Sequence, residues 1–174
     1  MSDSGAELVQ VVDRDNRPVG AISRRELRHR GLMYRATYIL VMSSDGQVFV
    51  QRRSAGKDMY PGYLDPVAGG VVLAGEDHDR SACRELGEEL GIEQPRLTRL
   101  FEFYFEDAHN KVWGRAYECR HDGPFVLQAE EIDDGFFCDP RDVVAGRVTP
   151  VTPDGLVVLQ RYLGAGRALS LDLD

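Results

Sequence analysis

The chain has 174 residues, 43% of them hydrophobic, enough for one well-buried core and too few for two substantial domains. Its net charge of −8 argues against general nucleic-acid binding, because neutralising a phosphate backbone takes Lys/Arg patches. Three widely spaced cysteines without a CxxC, no apolar run approaching about 18 residues and the polar start MSDSGAE point to a reduced, cytoplasmic protein with no membrane span.

In chain order, Glu7–Val12 alternates as a strand, Asp13–Arg17 is a polar turn and Pro18–Ile22 is the hairpin partner. Ser23 can cap a short basic helix reaching about His29. Thr37–Met42 and Gln47–Gln51 read as strands joined by the turn Ser43-Ser44-Asp45-Gly46. Ser54–Gly62 is a loop ending in the turn Tyr60-Pro61-Gly62, and short strands around Val67 and Val71 flank Gly69-Gly70. A helix follows, capped by Asp77 or Asp79 and ended by Gly91. Its apolar arc holds Ala82, Cys83, Leu86 and Leu90, which can face a core. Arg96–Phe105 and Lys111–Cys119 form a long hairpin, and Gly135–Cys138 is a last short strand. Helices open at Asp139-Pro140 and at Thr152-Pro153, the second running to about Leu163. This order predicts an α+β domain spanning 1–174, with helices on both faces of a central mixed sheet. Residues 1–33 form an N-terminal hairpin extension that either covers a sheet edge or makes a homodimer contact. His29, His78, His109 and His121 lack metal-ligand spacing and read as surface residues.

The most informative stretch is Gly70, Glu76, Arg84, Glu85, Leu86, Glu88, Glu89, Gly91 and Ile92, the pattern G-x5-E-x7-R-E-L-x-E-E-x-G-I. Such a string arises by chance on the order of once per billion starting positions. Seven acids and two bases between residues 76 and 93 place a net −5 of the chain's −8 here. On a helix, Glu85, Glu88 and Glu89 share an arc of roughly 100° and repel one another at i, i+3 and i+4. A hard divalent cation between them removes that cost, because Mg²⁺ takes oxygen ligands and pairs with phosphate oxygens. Glu76 can reach back to the Arg84 guanidinium and fix the loop–helix–loop shape, and Gly69 and Gly70 leave backbone carbonyls unshielded beside the helix.

These positions match the signature of the Nudix hydrolases, which the chain resembles strictly over residues 70–92 and in element order over most of its length. The resemblance implies an α/β/α sandwich and Mg²⁺-dependent hydrolysis of a diphosphate linked to an organic moiety, with Mn²⁺ as a substitute. It implies Glu88 and Glu89 as metal ligands, Glu85 as a ligand or the base that activates water, and the Gly69 carbonyl as a further ligand. Arg84 belongs to the catalytic set as the structural partner of Glu76, and Gly70 and Gly91 shape the box. A further acid outside the box is usual in the family; of Glu130 and Glu131, Glu131 is favoured.

Arg52, Arg53 and Lys57, just before Tyr60-Pro61-Gly62, can hold a substrate phosphate, although solvated charge at a hairpin end explains them equally well. Phe101, Phe103 and Phe105 alternate toward the core and leave Tyr104 on the other face. The stretch Gln51-Arg52-Arg53-Ser54, Tyr60-Pro61-Gly62 and the extension also resemble the branch related to type 1 isopentenyl-diphosphate isomerase. That isomerase's essential cysteine falls at Ala68 here, so hydrolysis is the better reading. A non-catalytic Nudix-fold binding module is a third reading, weakened by the presence of all four box glutamates. The expected partner is a small-molecule diphosphate, a nucleoside diphosphate derivative before others.

Overall fold

Alternation along one strand organises the fold. The computed structural model describes residues 3–171, with side-chain surroundings as far as 164. The elements are β1 (Leu8–Val12), β2 (Pro18–Ser23), α1 (Arg24–Arg30), β3 (Tyr34–Met42), β4 (Val48–Arg53) and β5 (Leu64–Asp65). They continue with α2 (His78–Leu90), β6 (Leu97–Glu106), β7 (Lys111–Arg120), β8 (Ile132–Cys138), α3 (Pro140–Val144) and α4 (Pro153–Leu171). On β3, Tyr34, Ala36, Tyr38, Leu40 and Met42 join one core cluster with Leu27 of α1, Val143 of α3 and Leu159 of α4. Ile39 and Val41 join a second cluster with Ala82, Leu86 and Leu90 of α2. A period of two thus buries both faces of the same strand, and helices cover each.

The sheet is mixed. β3 runs parallel to β7 from Tyr34↔Val112 to Met42↔Arg120, while β6–β7, β4–β8, β4–β5 and β1–β2 are antiparallel. Along its other edge β3 is shared. It meets β1 at Tyr34 and β4 at Met42, and between them it bridges the segment carrying the glycine pair, at Ala36↔Val71 and Ile39↔Ala68. That arrangement delivers Gly69 and Gly70 to the middle of the sheet. Isolated bridges replace the short strands expected around Val67 and Val71, because Gly69 at φ +128° leaves the extended region.

The caps follow the sequence closely. Ser23 accepts from the Glu26 amide at 3.2 Å, Asp77 accepts from the Arg80 amide at 2.8 Å, and Gly91 closes α2 in a left-handed conformation at φ +68°. α4 extends past the expected stop at Leu163, running on through Gly164 and Gly166 with no proline to end it. Two helix-face expectations are corrected. Cys83 is exposed, because the buried stripe of α2 runs through Ala82, Glu85, Leu86, Glu89 and Leu90 and leaves position 83 outside it. His78 is 7% exposed, not a surface residue, and burial together with Arg115 and Arg35 pushes its imidazole from 6.5 to about 4.

His78 therefore contributes stability above its unfolded pKa and loses that contribution as pH falls from 6.5 toward about 4. The stability of wild type minus that of His78→Gln should shrink by on the order of 1–2 kcal/mol between pH 7.5 and 4.5, a value reduced for solvent screening. Urea titration at the two pH values measures it, and a constant difference would contradict the buried neutral imidazole.

Candidate active site

Where α2 meets the glycine pair, two carboxylates are taken out of water. Glu85 and Glu89 are each 7% exposed, and the Gly69 amide donates to Glu89 Oε2 at 3.3 Å. Burial raises Glu85, with Arg84 opposing and Glu88 adding to the rise. Burial also pushes Glu89 to about 8, helped by the Glu85 charge and opposed by Lys57. Glu88 stays on the solvent rim with its side chain 51% exposed.

Arg84 ties the cluster together. Its Nε and Nη2 donate to the two Glu76 oxygens at 2.8 and 3.1 Å, a bidentate pair. Its Nη1 donates to Glu85 Oε1 at 3.0 Å and to Glu88 Oε2 at 3.2 Å. Although burial opposes it, the Arg84 cation is held by these carboxylates, above all by the Glu76 hydrogen bond. Burial would raise Glu76, but hydrogen bonds from Arg84 and the Leu73 amide win and hold it below its ordinary value. The pairing read from the spacing of Glu76 and Arg84 is present in the fold.

The glycines permit the approach. A Cβ on Gly70 would lie 2.6 Å from Glu85 Oε1, and one on Gly69 would lie 2.1 Å from the Thr37 carbonyl oxygen. The Thr37 amide donates to the Gly70 carbonyl at 2.9 Å, whereas the Gly69 carbonyl accepts no hydrogen bond among the described residues. It is the freer of the two carbonyls beside the carboxylates.

Among the described residues, no three His, Cys, Asp or Glu side chains converge as a preformed metal cage, since the Arg84 guanidinium stands between Glu85 and Glu88. The donor set still fits a hard divalent cation. Two buried carboxylates whose mutual charge raises Glu89 are relieved by a cation with oxygen preference. Glu88 at the rim and the free Gly69 carbonyl supply further oxygens of the same kind.

Beside this corner lies a cavity of about 120 Å³ bordered by Gly69, Gly70, Arg53 and Lys57. Arg53 reaches it because the β4 register slips between Arg52 and Arg53; its guanidinium donates to the Met59 carbonyl at 3.0 and 2.9 Å and lies 3.5 Å from Asp65. Burial lowers Lys57 to about 8, with Arg53 adding to the effect, and its ammonium is paired with Glu131. Arg52 is not brought to the cavity. It pairs with its cross-strand neighbour Asp134 at 3.3 Å, and both side chains are well exposed. Glu131 does not line the cavity either, but pairs with Lys57, which does. Ala68 is 5% exposed, sits on the cavity wall and carries no titratable group.

Sequence reading missed Arg24 and Arg28. Both line the cavity, carried there by α1 of the N-terminal extension, whose role had been limited to edge cover or a dimer contact. The available signal was the basic run Arg24-Arg25-Glu26-Leu27-Arg28, with an apolar residue to anchor one face.

Comparison with known proteins bears on the family and the fold. The NUDIX domain family matches residues 33–161, which contain the box and most of the cavity wall. The uncharacterized Nudix hydrolase PA4841 of Pseudomonas aeruginosa is 45% identical over 163 residues, covering 93% of this chain and 96% of its own. The uncharacterized Nudix hydrolase YfcD of Escherichia coli K12 is 40% identical over 160 residues, covering 92% and 88%. Among solved structures, DR0079 from Deinococcus radiodurans superposes with a TM-score of 0.79 at 26% identity, covering 89% of this chain and 98% of its own. The buried carboxylates, the Arg84 clamp and the glycine corner thus sit in a chain that belongs to the Nudix superfamily and is a Nudix pyrophosphohydrolase.

Proposed function

We propose that the enzyme is a Mg²⁺-dependent hydrolase of a diphosphate linked to an organic moiety, a nucleoside diphosphate derivative before others, and that it releases a phosphomonoester. The burial of Glu85 and Glu89 against the glycine corner carries this reading, because two desolvated carboxylates, each raised by burial and Glu89 further by the Glu85 charge, are costly unless a cation accompanies them. Glu88, Glu89 and the Gly69 carbonyl would hold the metal, with Glu85 as a further ligand or as the base. When bound, Mg²⁺ (or Mn²⁺) neutralises phosphoryl oxygens and acidifies water, which is most of what phosphoryl transfer requires.

The chain's own groups do the rest. Arg84, fixed by Glu76, orients the Glu85 and Glu88 carboxylates. Glu85, raised by burial, would bind the metal or accept a proton as base. Arg53 and Lys57 present positive charge to the phosphate being released, and Glu131 sets the position of Lys57 as its ion-pair partner. Three free cysteines suit a reducing compartment, and no helix among the described residues is long and apolar enough to cross a membrane. The N-terminal hairpin remains available for a homodimer contact.

A screen of nucleoside triphosphates, dinucleoside polyphosphates, nucleotide sugars and coenzymes tests the reading. Turnover should need Mg²⁺ or Mn²⁺ and stop with chelator, and absence of metal-dependent turnover at micromolar enzyme would sink it. Isopentenyl diphosphate in deuterated water should show no allylic exchange by NMR, because Ala68 can neither give nor take that proton.

A further inference from the structure

The cations of the cavity are not equally occupied. Arg53 is answered by Asp65 and by the Met59 carbonyl, and Lys57 by Glu131. Arg24 and Arg28 are different. The Nε of each is inaccessible to solvent and has no hydrogen-bond partner among the described residues. Beyond that, among the described residues Arg24 approaches Glu7 at 3.6 Å, and Arg28 sets its Nη1 against the Met59 sulfur, a weak acceptor, and hydrogen-bonds the Tyr34 hydroxyl, so neither guanidinium meets a closely paired carboxylate. A buried guanidinium donor without an oxygen is expensive, and here there are two in one cavity wall.

Their placement is built. Arg24 and Arg28 stand one helical turn apart and so project from the same face of α1. Ser23 caps the helix and Leu27, 1% exposed, anchors it in the core, so the two guanidinia are carried on a fixed support. Like charges at this spacing repel, and a shared anion removes that repulsion. The Arg24 charge also acts on Glu85 and Lys57, which places it within electrostatic reach of the reaction corner. The half-open cavity of about 120 Å³ admits a phosphate-sized group, against the roughly 300–1,000 Å³ of sites that bury a whole drug-sized ligand.

We propose that Arg24 and Arg28 form a phosphate site that binds a terminal phosphate dianion of the substrate other than the phosphate bridged at the scissile bond, so that the N-terminal extension sets substrate choice. The site rests on the hydrolase reading for its place in the reaction, but not for its existence. The terminal phosphate has two sources: a third phosphate in line, or a separate monoester on the organic part. The two arginines recognise phosphate charge and leave the organic moiety unspecified.

Binding without turnover separates this proposal from the hydrolase reading. With chelator present, inorganic phosphate titrated into wild type by calorimetry should bind at a single site. Arg24→Gln and Arg28→Gln should each weaken it at least about tenfold, the usual scale for losing a charge-assisted hydrogen bond. Arg28→Lys should recover part of the loss, and Arg25→Gln, whose exposed side chain pairs with Asp3, should bind as wild type does. In turnover, coenzyme A against dephospho-coenzyme A tests a separate monoester, and ATP against ADP tests a phosphate in line. Wild type should prefer the phosphorylated member of one pair, and Arg28→Gln should remove the preference through KM with kcat little changed. Phosphate affinity unchanged in both glutamine variants overturns the proposal even if metal-dependent hydrolysis is found. Phosphate binding lost as expected, with no turnover of any compound, upholds the site and removes the hydrolase reading instead.

Discussion

Glu89→Gln should fold, lose metal-dependent turnover by roughly 10³-fold, and melt above wild type when metal is withheld. The first effect follows from chemistry, since a neutral amide is a poor oxygen ligand for a hard divalent cation and the metal supplies several kcal/mol to the transition state. The second follows from burial, because Glu89 is 7% exposed and raised from 4.5 to about 8. A group whose pKa rises on folding binds extra protons in the folded state, so its stabilising contribution is complete below 4.5 and is lost as pH climbs toward about 8. Glutamine removes that loss. The variant's advantage in chelator should therefore be near zero at pH 4.5 and on the order of 2 kcal/mol above pH 8. Saturating Mg²⁺ should reverse the order, because only wild type gains from the bound ion. Thermal melts across this pH range with and without metal, beside turnover, make the measurement. Equal turnover in the two proteins would remove Glu89 from the mechanism.

The box was legible because its determinants are local. Asp77, Gly91 and the spacing of Glu76 to Arg84 specify a capped helix and an ion pair over a short stretch, where sequence distance and spatial distance agree. The sheet was legible for a similar reason, since the apolar run Tyr38–Met42 on β3 and the turn Ser43-Ser44-Asp45-Gly46 after it needed no distant partner to be read. What escaped was assembled across the chain. Lys57 and Glu131 meet from loops 74 residues apart, and nothing in either loop announces the other. Arg24 and Arg28 enter the cavity only because β1 docks at Tyr34 and swings α1 over the edge of β3. Even within α2, the arc was drawn too simply. The carboxylates form no separate stripe beside the apolar one. The buried half of the helix, roughly 180° wide, takes in Glu85 and Glu89 with Ala82, Leu86 and Leu90, and leaves Glu88 and Cys83 on opposite rims. A helix buries carboxylates on its core side only where the partner surface can host them, and that surface is the glycine corner, which lies outside the helix sequence.

Substituting the two glycines separately should divide fold from function. At Gly69 the φ of +128° is one that L side chains rarely adopt, and an added Cβ would meet the Thr37 carbonyl oxygen at 2.1 Å and its carbon at 2.8 Å. Both are backbone atoms of the central strand, so neither can retreat without breaking the Thr37–Gly70 and Ile39–Ala68 hydrogen bonds beside them. Gly69→Ala should cost about 3 kcal/mol or more. At Gly70 the conflict is with the tip of a side chain, Glu85 Oε1 at 2.6 Å and Cδ at 2.8 Å, with no unusual φ involved. The Glu85 side chain can swing aside, so Gly70→Ala should lose only about 1 kcal/mol of stability. Its carboxylate, however, is then displaced from the corner it shares with Glu89, and a misplacement near 1 Å costs on the order of 10²-fold in rate. Urea denaturation and metal-dependent turnover together decide the matter. The expected pattern is an unstable Gly69→Ala protein and a stable, nearly inactive Gly70→Ala protein. A stable and fully active Gly70→Ala variant would mean that the Glu85 carboxylate does not act from the position that the missing Cβ makes possible.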